Sequence, residues 1–232
     1  MARTPQATCD FNATLSGTDW TQLNIAQGNI IATSGPTVVS GDATNTVTGS
    51  GNSSGNACAR WTGAGTFTEN QYASIIIPFI DPQSVENYNV GIICRASAGL
   101  SSGLYRNYLV GLSMAANDPG GTTKSVTLYK VVAQTYTQLN AAGITFSAGD
   151  ELSLECEGTT AYACRNGVRL GGAWSGDISD VSAGGLPGVS GAGSANFIYG
   201  DTWEGGNLGA AVIVQGESLQ AQTFMSMSRG FR

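Results

Sequence analysis

The chain has 232 residues, of which 11% are charged, and a formal net charge of −6. Its Lys and Arg residues form no cluster, which disfavours electrostatic binding to nucleic acid. No apolar run approaches the roughly 20 residues that span a bilayer, and the opening Met-Ala-Arg-Thr-Pro-Gln lacks the apolar core of a signal peptide. We therefore expect a protein made in a cytoplasm, with no nucleic-acid or membrane partner.

The composition favours an all-β fold. Gly is abundant at 33 residues, and Ser, Thr and Asn recur between short apolar runs, which is typical of many turns that join short strands. One all-β sandwich commonly reaches this length, so we expect a single domain. We place a flexible start at residues 1–8, the domain at 9–206 and a C-terminal strand or arm at 207–232.

The first part of the chain alternates short apolar runs with polar loops, and no helix of three turns is predicted in it. The Gly/Ser/Asn-rich residues 40–57 are interpreted as a surface loop. The predicted strands that follow are 58–61, 72–80, 89–96, 105–114, 124–134 and 136–139.

Residues 144–189 predict a meander of short antiparallel strands. Leu152 and Leu154 alternate with polar residues, which is the period of a strand. Asn166-Gly167 predicts a two-residue hairpin turn, because both residue types accept a positive φ. Taken with the earlier strands, the alternation predicts these core residues: Ile75, Ile77, Phe79, Ile92, Leu109, Val126, Leu128, Leu152 and Leu154.

The five cysteines predict neither a disulfide framework nor a zinc site, because their number is odd and their spacing is not that of a zinc motif. If Glu157 pairs with Thr160 across a tight turn, Cys156 and Cys164 lie on opposite faces of the sheet and cannot bridge. We interpret all five as small, mostly buried apolar residues: Cys9, Cys58, Cys94, Cys156 and Cys164.

Several sequence phrases resemble one known family. Residues 149–158 read Gly-Asp-x-Leu-x-Leu-x-x-x-Gly and are followed by Asn-Gly and by Gly-Leu-Pro-Gly at 185–188. Further matches are Gln-Tyr-Ala within 67–75 and Asp-x-Trp-Glu-Gly-Gly at 201–206. Cys-Asp-Phe at 9–11, with a later Trp, is similar to the opening Asp-x-Phe…Trp of the same family. Together they resemble the concanavalin A-like lectin/glucanase jelly roll in its laminin-G-like form, of the kind found in tailed-phage structural proteins. The resemblance implies an all-β, two-sheet antiparallel jelly-roll sandwich with a C-terminal extension.

That fold hosts lectins, hydrolases, lyases and structural modules. The chain has no histidine, which excludes His-dependent nucleophilic and acid/base catalysis. Glucanases of the resembled family carry alternating acidic residues on one strand, and the comparable spacing here is Glu151, Glu155 and Glu157. We interpret these three as the solvated face of a half-buried strand. We therefore predict no catalytic residues and no enzyme, and a glycan hydrolase or lyase ranks last among the alternatives.

The resemblance also raises calcium, since laminin-G-like domains often hold one Ca²⁺ with Asp side chains and loop carbonyls. The candidates are Asp10, Asp150 and Asp201. They are scattered singly through the chain without EF-hand spacing, and each is interpreted as a residue that caps a turn. No metal site and no cofactor is therefore predicted.

Sugar binding requires an aromatic platform beside a few polar groups. Trp174, Tyr199 and Trp203 are the candidate platforms, with Asp177 and Asp201 near them in sequence. The alternative for the two tryptophans is that they pack against the core of the sandwich, and we favour that alternative.

Two functions from different classes follow. The first is a non-enzymatic virion structural protein of a tailed bacteriophage, either a capsid decoration (cement) protein or a head or tail fibre module. Its partners are the major capsid protein or tail proteins, and we expect a homo-oligomer assembled in the host cytoplasm. The second is a lectin-like module, such as a phage adhesin, that binds a surface glycan.

The C-terminal tail favours the first function. Residues 207–232 continue past the predicted closing strand and carry few charges. Their large apolar side chains are costly to leave in water, at roughly 1.5–3 kcal/mol each. We interpret them as an assembly arm that joins subunits by strand addition, with these contact residues: Phe224, Met225, Met227 and Phe231.

Overall fold

The computed structural model describes residues 1–11, 18–22, 28–34, 45–51, 57–77, 88–97, 109–116, 124–133, 135–140, 145–192 and 200–209. Their regular structure is β-strand, apart from a 3-10 turn at Gly172–Trp174. None of these segments is a helix long and apolar enough to cross a membrane.

Two seven-stranded antiparallel sheets form the sandwich, which confirms the predicted fold class. Sheet 1 contains β1 (Arg3–Cys9), β6 (Gln71–Ile76), β11 (Glu151–Glu157), β12 (Thr160–Arg165), β13 (Val168–Arg169), β14 (Ser175–Asp177) and β16 (Asp201–Leu208). Sheet 2 contains β2 (Trp20–Gln22), β5 (Ala57–Trp61), β7 (Tyr88–Ala96), β8 (Leu109–Ala116), β9 (Lys124–Val132), β10 (Thr135–Gln138) and β15 (Leu186–Ala192). A separate hairpin pairs β3 (Gly28–Ser34) with β4 (Asn45–Gly51).

The strand order explains why the alternating residues meet in one core. Sheet 1 runs β1-β16-β6-β11-β12-β13 with β14 beside β12, and sheet 2 runs β10-β9-β8-β7-β15-β5-β2. Because side chains alternate between the two faces of a strand, every second residue of each strand points into the space between the sheets. The predicted core residues are buried, except Phe79, which lies outside the described residues. Leu109 belongs to a second buried cluster, with Ile93 and Tyr129.

Three tryptophans join the sheets at one side of the core. The ring centroid of Trp20 on β2 lies 5.3 Å from that of Trp61 on β5 and 4.9 Å from that of Trp203 on β16. Trp203 also donates its indole N–H to the carbonyl of Gly188 on β15, at 3.2 Å. A buried aromatic pair contributes about 0.5–1.5 kcal/mol beyond its buried area, so this cluster is a substantial contact between β16 and sheet 2.

The N-terminus differs from the expectation of a flexible start at residues 1–8. Arg3–Cys9 forms β1, which pairs antiparallel with β16 and registers Arg3 against Leu208. The pairing satisfies backbone groups along the outer edge of β16, and the Arg3 side chain reaches two glutamates of β11. The boundary predicted at residues 206–207 falls inside β16, and the arm residues beyond 209 lie outside the described residues.

The five cysteines are free thiols, and all but Cys9 are buried. Glu157 pairs with Thr160, as the turn prediction required, so Cys156 lies opposite Ala161 and Cys164 lies opposite Ser153. Cys156 belongs to the main core cluster. Cys164 lies on the other face of sheet 1, and the two thiols therefore do not bridge.

The predicted hairpin turn at Asn166-Gly167 is confirmed. Arg165 pairs with Val168, and the two turn residues have φ of 50° and 76°. The side-chain oxygen of Asn166 accepts the backbone N–H of Glu151 at 2.9 Å, which fixes the turn against the start of β11.

Replacing Gly167 with Ala should lower the free energy of unfolding by about 1 kcal/mol, because a left-handed φ costs an L-residue with a Cβ about that much. Urea denaturation measures the difference. Gly184→Ala is the matched control, since a Cβ at Gly184 meets nothing within 4 Å and this glycine has no positive φ. Equal stabilities of the two variants would contradict the assigned turn geometry.

Candidate functional site

The structure places both predicted tryptophan platforms inside the core. Trp203 has no exposed surface and Trp174 is 4% exposed, so neither ring presents a face to a sugar. The prediction of a platform at these two residues is therefore corrected, and the alternative of core packing holds. Tyr199 lies outside the described residues. The large apolar residues that are exposed in the described part of the chain include Tyr136, at 50%, whose ring stacks on Tyr129 at 5.1 Å.

Asp150, one of the aspartates raised as calcium candidates, caps a turn and pairs with a cation. Asp150 accepts the backbone N–H of Ser147 at 2.7 Å and the amide of Asn166 at 2.9 Å, and it pairs with Arg165 at 3.0 Å. Burial acts to raise the pKa of Asp150, and these three donors outweigh it and lower the pKa. Within the described residues, no three His, Cys, Asp or Glu side chains lie together as a metal site would require.

Asp201 lacks the cationic partner that Asp150 has among the described residues. One of its carboxylate oxygens accepts the backbone N–H of Thr202 at 2.7 Å. Burial raises the pKa of Asp201. Asp10, the remaining candidate, is exposed.

The outer face of sheet 1 carries an ion-pair network centred on Glu155. One carboxylate oxygen of Glu155 accepts Arg3 Nε at 3.0 Å, and the other accepts Arg169 Nε at 2.7 Å. Arg3 also pairs with Glu151 at 2.7 Å, and Arg169 pairs with Glu157 at 2.7 Å. All three glutamates share one face of β11, as predicted.

Glu155 is nevertheless not solvated, which corrects that part of the prediction. It is 4% exposed, because the arginines of β1 and β13 fold over β11 from both sides. Arg169 lies 3.8 Å from the centroid of the Tyr162 ring, and Arg3 lies 5.1 Å from that of Tyr72. Both oxygens of Glu155 are occupied by cations, so this carboxylate is a structural acceptor.

A groove of about 440 Å³ opens at one end of the sandwich. It lies where β7 of sheet 2 ends and where the turn between β11 and β12 of sheet 1 is formed. The residues around it are Glu69, Arg95, Gly158, Thr159 and 178–183. This lining combines a guanidinium, two carboxylates and several hydroxyls with an apolar floor.

The loop at residues 178–183 is held in place from both sheets. Ile178 and Val181 are buried in the core, and the N–H of Ile178 donates to the carbonyl of Thr159 at 2.8 Å. Lys130 of β9 pairs with Asp180 at 2.6 Å. The polar side chains between the two anchors are therefore presented to the groove by a fixed backbone.

Arg95 is positioned by a buried amide. Its φ is 53°, and its backbone N–H donates to the side-chain oxygen of Gln71 at 3.0 Å. The amide nitrogen of Gln71 donates to the carbonyls of Thr68, at 2.9 Å, and Gly185, at 3.0 Å. Gln71 has no exposed surface, so its amide links β6 of sheet 1 to β7 and the start of β15 in sheet 2.

The guanidinium of Arg95 then turns towards sheet 1. Its Nε and Nη2 donate to the carbonyl of Glu69 at 3.1 and 2.8 Å, and Nη2 also donates to the carbonyl of Gly158 at 2.6 Å. Arg95 is 2% exposed. It makes no ion pair with a described carboxylate, and its long side chain is held by backbone carbonyls on two different loops.

The groove could not be recognised in the sequence. Its lining comes from four separate parts of the chain, and none of those residues stands in a pattern that marks a site. The nearest signal was the Gln-Tyr-Ala phrase, whose Gln71 holds Arg95 but does not line the groove.

Comparison with solved structures finds the same architecture in proteins of low sequence identity. A Bacillus subtilis protein of unknown function with a galectin-like fold is 10% identical with a TM-score of 0.51, and the match covers 89% of this chain and 98% of that one. Bacillus licheniformis β-glucanase is 9% identical with a TM-score of 0.50, covering 89% and 99%. A prokaryotic β-1,3-1,4-glucanase (lichenase) from a mouse hindgut metagenome is 9% identical with a TM-score of 0.50, covering 88% and 99%.

These likenesses define the class of fold as the concanavalin A-like, galectin-like jelly roll, which confirms the fold that the resemblance implied. The tailed-phage part of that resemblance stays a prediction. No protein-family model matches the chain, and no curated protein matches its sequence.

Glu155→Gln should destabilise the fold by about 2–3 kcal/mol, because it removes the charge that both Arg3 and Arg169 share in a buried position. Glu157→Gln is the matched control on the same strand face. Glu157 has a 30% exposed side chain, and its exposed pair should be worth about 0–1 kcal/mol. Urea denaturation of both variants measures the difference, and equal effects would show that Glu155 does not carry the network.

Gln71→Leu should cost about 2–4 kcal/mol, because it removes the partner of the Arg95 N–H and of the Gly185 carbonyl in a buried place. Gln138→Leu is the control of the same type, since Gln138 lies on the exposed strand β10. Melting temperatures and urea midpoints of the two variants test this. A neutral Gln71→Leu would mean that the amide does not hold the two sheets together at this end.

Proposed function

We propose that this chain is a carbohydrate-binding domain that holds part of a glycan in the groove around Arg95. The observation that carries the proposal is the lining of the groove. Arg95 supplies donors, Glu69 and Asp180 supply acceptors, and Ser182 stands beside the apolar side chain of Val181.

A sugar ring matches that combination. Its hydroxyl groups donate and accept hydrogen bonds at its rim, while its C–H faces are apolar. Hydrogen bonds to charged groups are shorter and stronger than those between neutral groups. Small-molecule sites in general combine an apolar surface with a few fixed polar groups that set orientation. A groove of about 440 Å³ lies within the usual range for such sites.

The fold adds support by analogy. Two of the similar solved structures are named as glucanases, so the same architecture serves sugar chemistry in those proteins. A shared fold does not assign a site, so for this chain it is the groove that supports glycan binding.

Binding without hydrolysis fits the carboxylates better. A glycosidase needs one carboxyl group as an acid and another as base or nucleophile, on either side of the scissile bond. The carboxylates alternating on β11 are instead engaged by Arg3 and Arg169. We therefore propose a binding role with no catalytic step, and the glycan is the proposed partner.

The virion hypothesis stays a prediction. The apolar tail, one of the features that favoured it, lies beyond residue 209, outside the described residues. The virion location and the homo-oligomer depend on the same hypothesis. The glycan-binding alternative replaces it here as the main proposal because the groove belongs to the described part of the chain.

Filling the groove should weaken glycan binding without unfolding the protein. Ser182 is an exposed lining residue, so Ser182→Trp places an indole in the groove and should weaken binding roughly tenfold or more. Affinity gel electrophoresis against a panel of soluble polysaccharides measures the retardation.

Val168→Trp is the control for an added exposed indole. Val168 is 66% exposed and follows the turn at the opposite end of β12 from Thr159. Its variant should bind as the unmodified protein does. If no polysaccharide in the panel retards the unmodified protein, or if Ser182→Trp binds as well as the control, the groove is not a glycan site.

A further inference from the structure

Arg95 brings a positive charge into the groove that no described carboxylate neutralises. A guanidinium has five N–H donors. The Nε donor and the two Nη2 donors are taken by the carbonyls of Glu69 and Gly158. Both donors that remain are on Nη1, and they have no acceptor within the described structure.

Nη1 is also not sealed inside the protein. Among the described residues, the buried side-chain nitrogen or oxygen atom that lacks a hydrogen-bond partner is Nε of Arg60. Nη1 of Arg95, which has no acceptor among the described residues, does not belong to that class. Since Arg95 as a whole is only 2% exposed and lines the groove, its accessible donors open onto the groove.

Burying the unpaired guanidinium of Arg95 costs the unliganded protein free energy. A buried charge is costly unless an opposite charge and hydrogen bonds compensate it. The three carbonyl contacts fix the guanidinium in one orientation but supply no negative charge. The geometry therefore favours a ligand with a negative oxygen at Nη1.

The two carboxylates that line the groove, Asp180 and Glu69, do not cancel this preference for a negatively charged ligand. Asp180 is neutralised by Lys130 at 2.6 Å. Glu69 is exposed, so water and salt screen its carboxylate far more than they screen the buried Arg95. The uncompensated and poorly screened charge is the positive one.

We propose that the groove selects a glycan with a carboxylate, that is, a uronic acid residue, and that Nη1 of Arg95 donates to that carboxylate. The ring hydroxyls would then meet the hydroxyl-bearing side chains of Thr159, Ser179 and Ser182 on the walls. This inference rests on the proposed glycan binding and names its substrate class.

The test compares each acidic polysaccharide with its own carboxyl-reduced form, which keeps the linkages and removes the charge. Polygalacturonate, alginate and glucuronoxylan are the probes, and isothermal titration calorimetry with the full chain measures affinity. We expect at least one acidic form to bind roughly tenfold tighter than its reduced form, with the difference shrinking as salt rises.

Two variants with opposite effects sharpen the test. Arg95→Gln should bring the affinity for the acidic form down to that of the reduced form. Glu69→Gln should raise the affinity for the acidic form, because it removes the like charge at the rim while the amide oxygen still accepts a hydrogen bond. It also keeps the test decisive if Arg95→Gln fails to fold. Glu151→Gln is the control for a lost carboxylate away from the groove, since Glu151 lies at the end of β11 opposite Gly158, and it should change neither affinity.

The experiment distinguishes failure of the uronate preference from failure of the proposed glycan binding. Equal binding of the acidic and the reduced forms, or Glu69→Gln without effect on a bound acidic form, overturns the uronate preference and leaves the proposed glycan binding standing. Absence of binding to either form of every probe and to the neutral panel overturns both.

Discussion

The groove depends on one buried side-chain amide, that of Gln71. A fully buried amide must have its hydrogen bonds made, since each unmade one costs about 1–3 kcal/mol. Its three contacts join Thr68, Arg95 and Gly185, so satisfying one side chain fixes the spacing of the two sheets at this end. The left-handed backbone of Arg95 lies at the register shift between β7 and β15.

Two of the phrases that carried the family resemblance thus meet at a single place. Gln71 comes from the Gln-Tyr-Ala phrase, and Gly185 opens the Gly-Leu-Pro-Gly phrase. A Cβ on Gly185 would stand 2.0 Å from the carbonyl carbon of Arg95, which explains why the corner begins with glycine. The phrases are far apart in sequence, and their common physical role is to hold the β7 bulge against sheet 1.

Sequence patterns predicted the strand alternation and the hairpin turn, which depend on neighbouring residues. They did not predict the burial of Glu155 or the direction of Arg95, which depend on contacts between distant strands. The alternation of Leu152 and Leu154, and the turn at Asn166-Gly167, need only neighbouring residues to be recognised. The burial of Glu155 required two arginines, Arg3 and Arg169, to arrive from β1 and β13. Arg95 was read as part of a regular strand, because a bulge that redirects one side chain leaves no periodic trace.

The pairing of β1 with β16 has a mechanical consequence. These strands run antiparallel, and the N–H of Gly209 donates to the carbonyl of Ala2 at 2.9 Å, so residues 2 and 209 leave the sandwich side by side. A force that separates these two points loads the ladder in the unzipping direction, in which hydrogen bonds break one after another instead of together. Arg3 forms the first residue pair of this ladder, with Leu208. Its ion pairs with Glu151 and Glu155 therefore resist detachment of the edge strand β1 from the sheet.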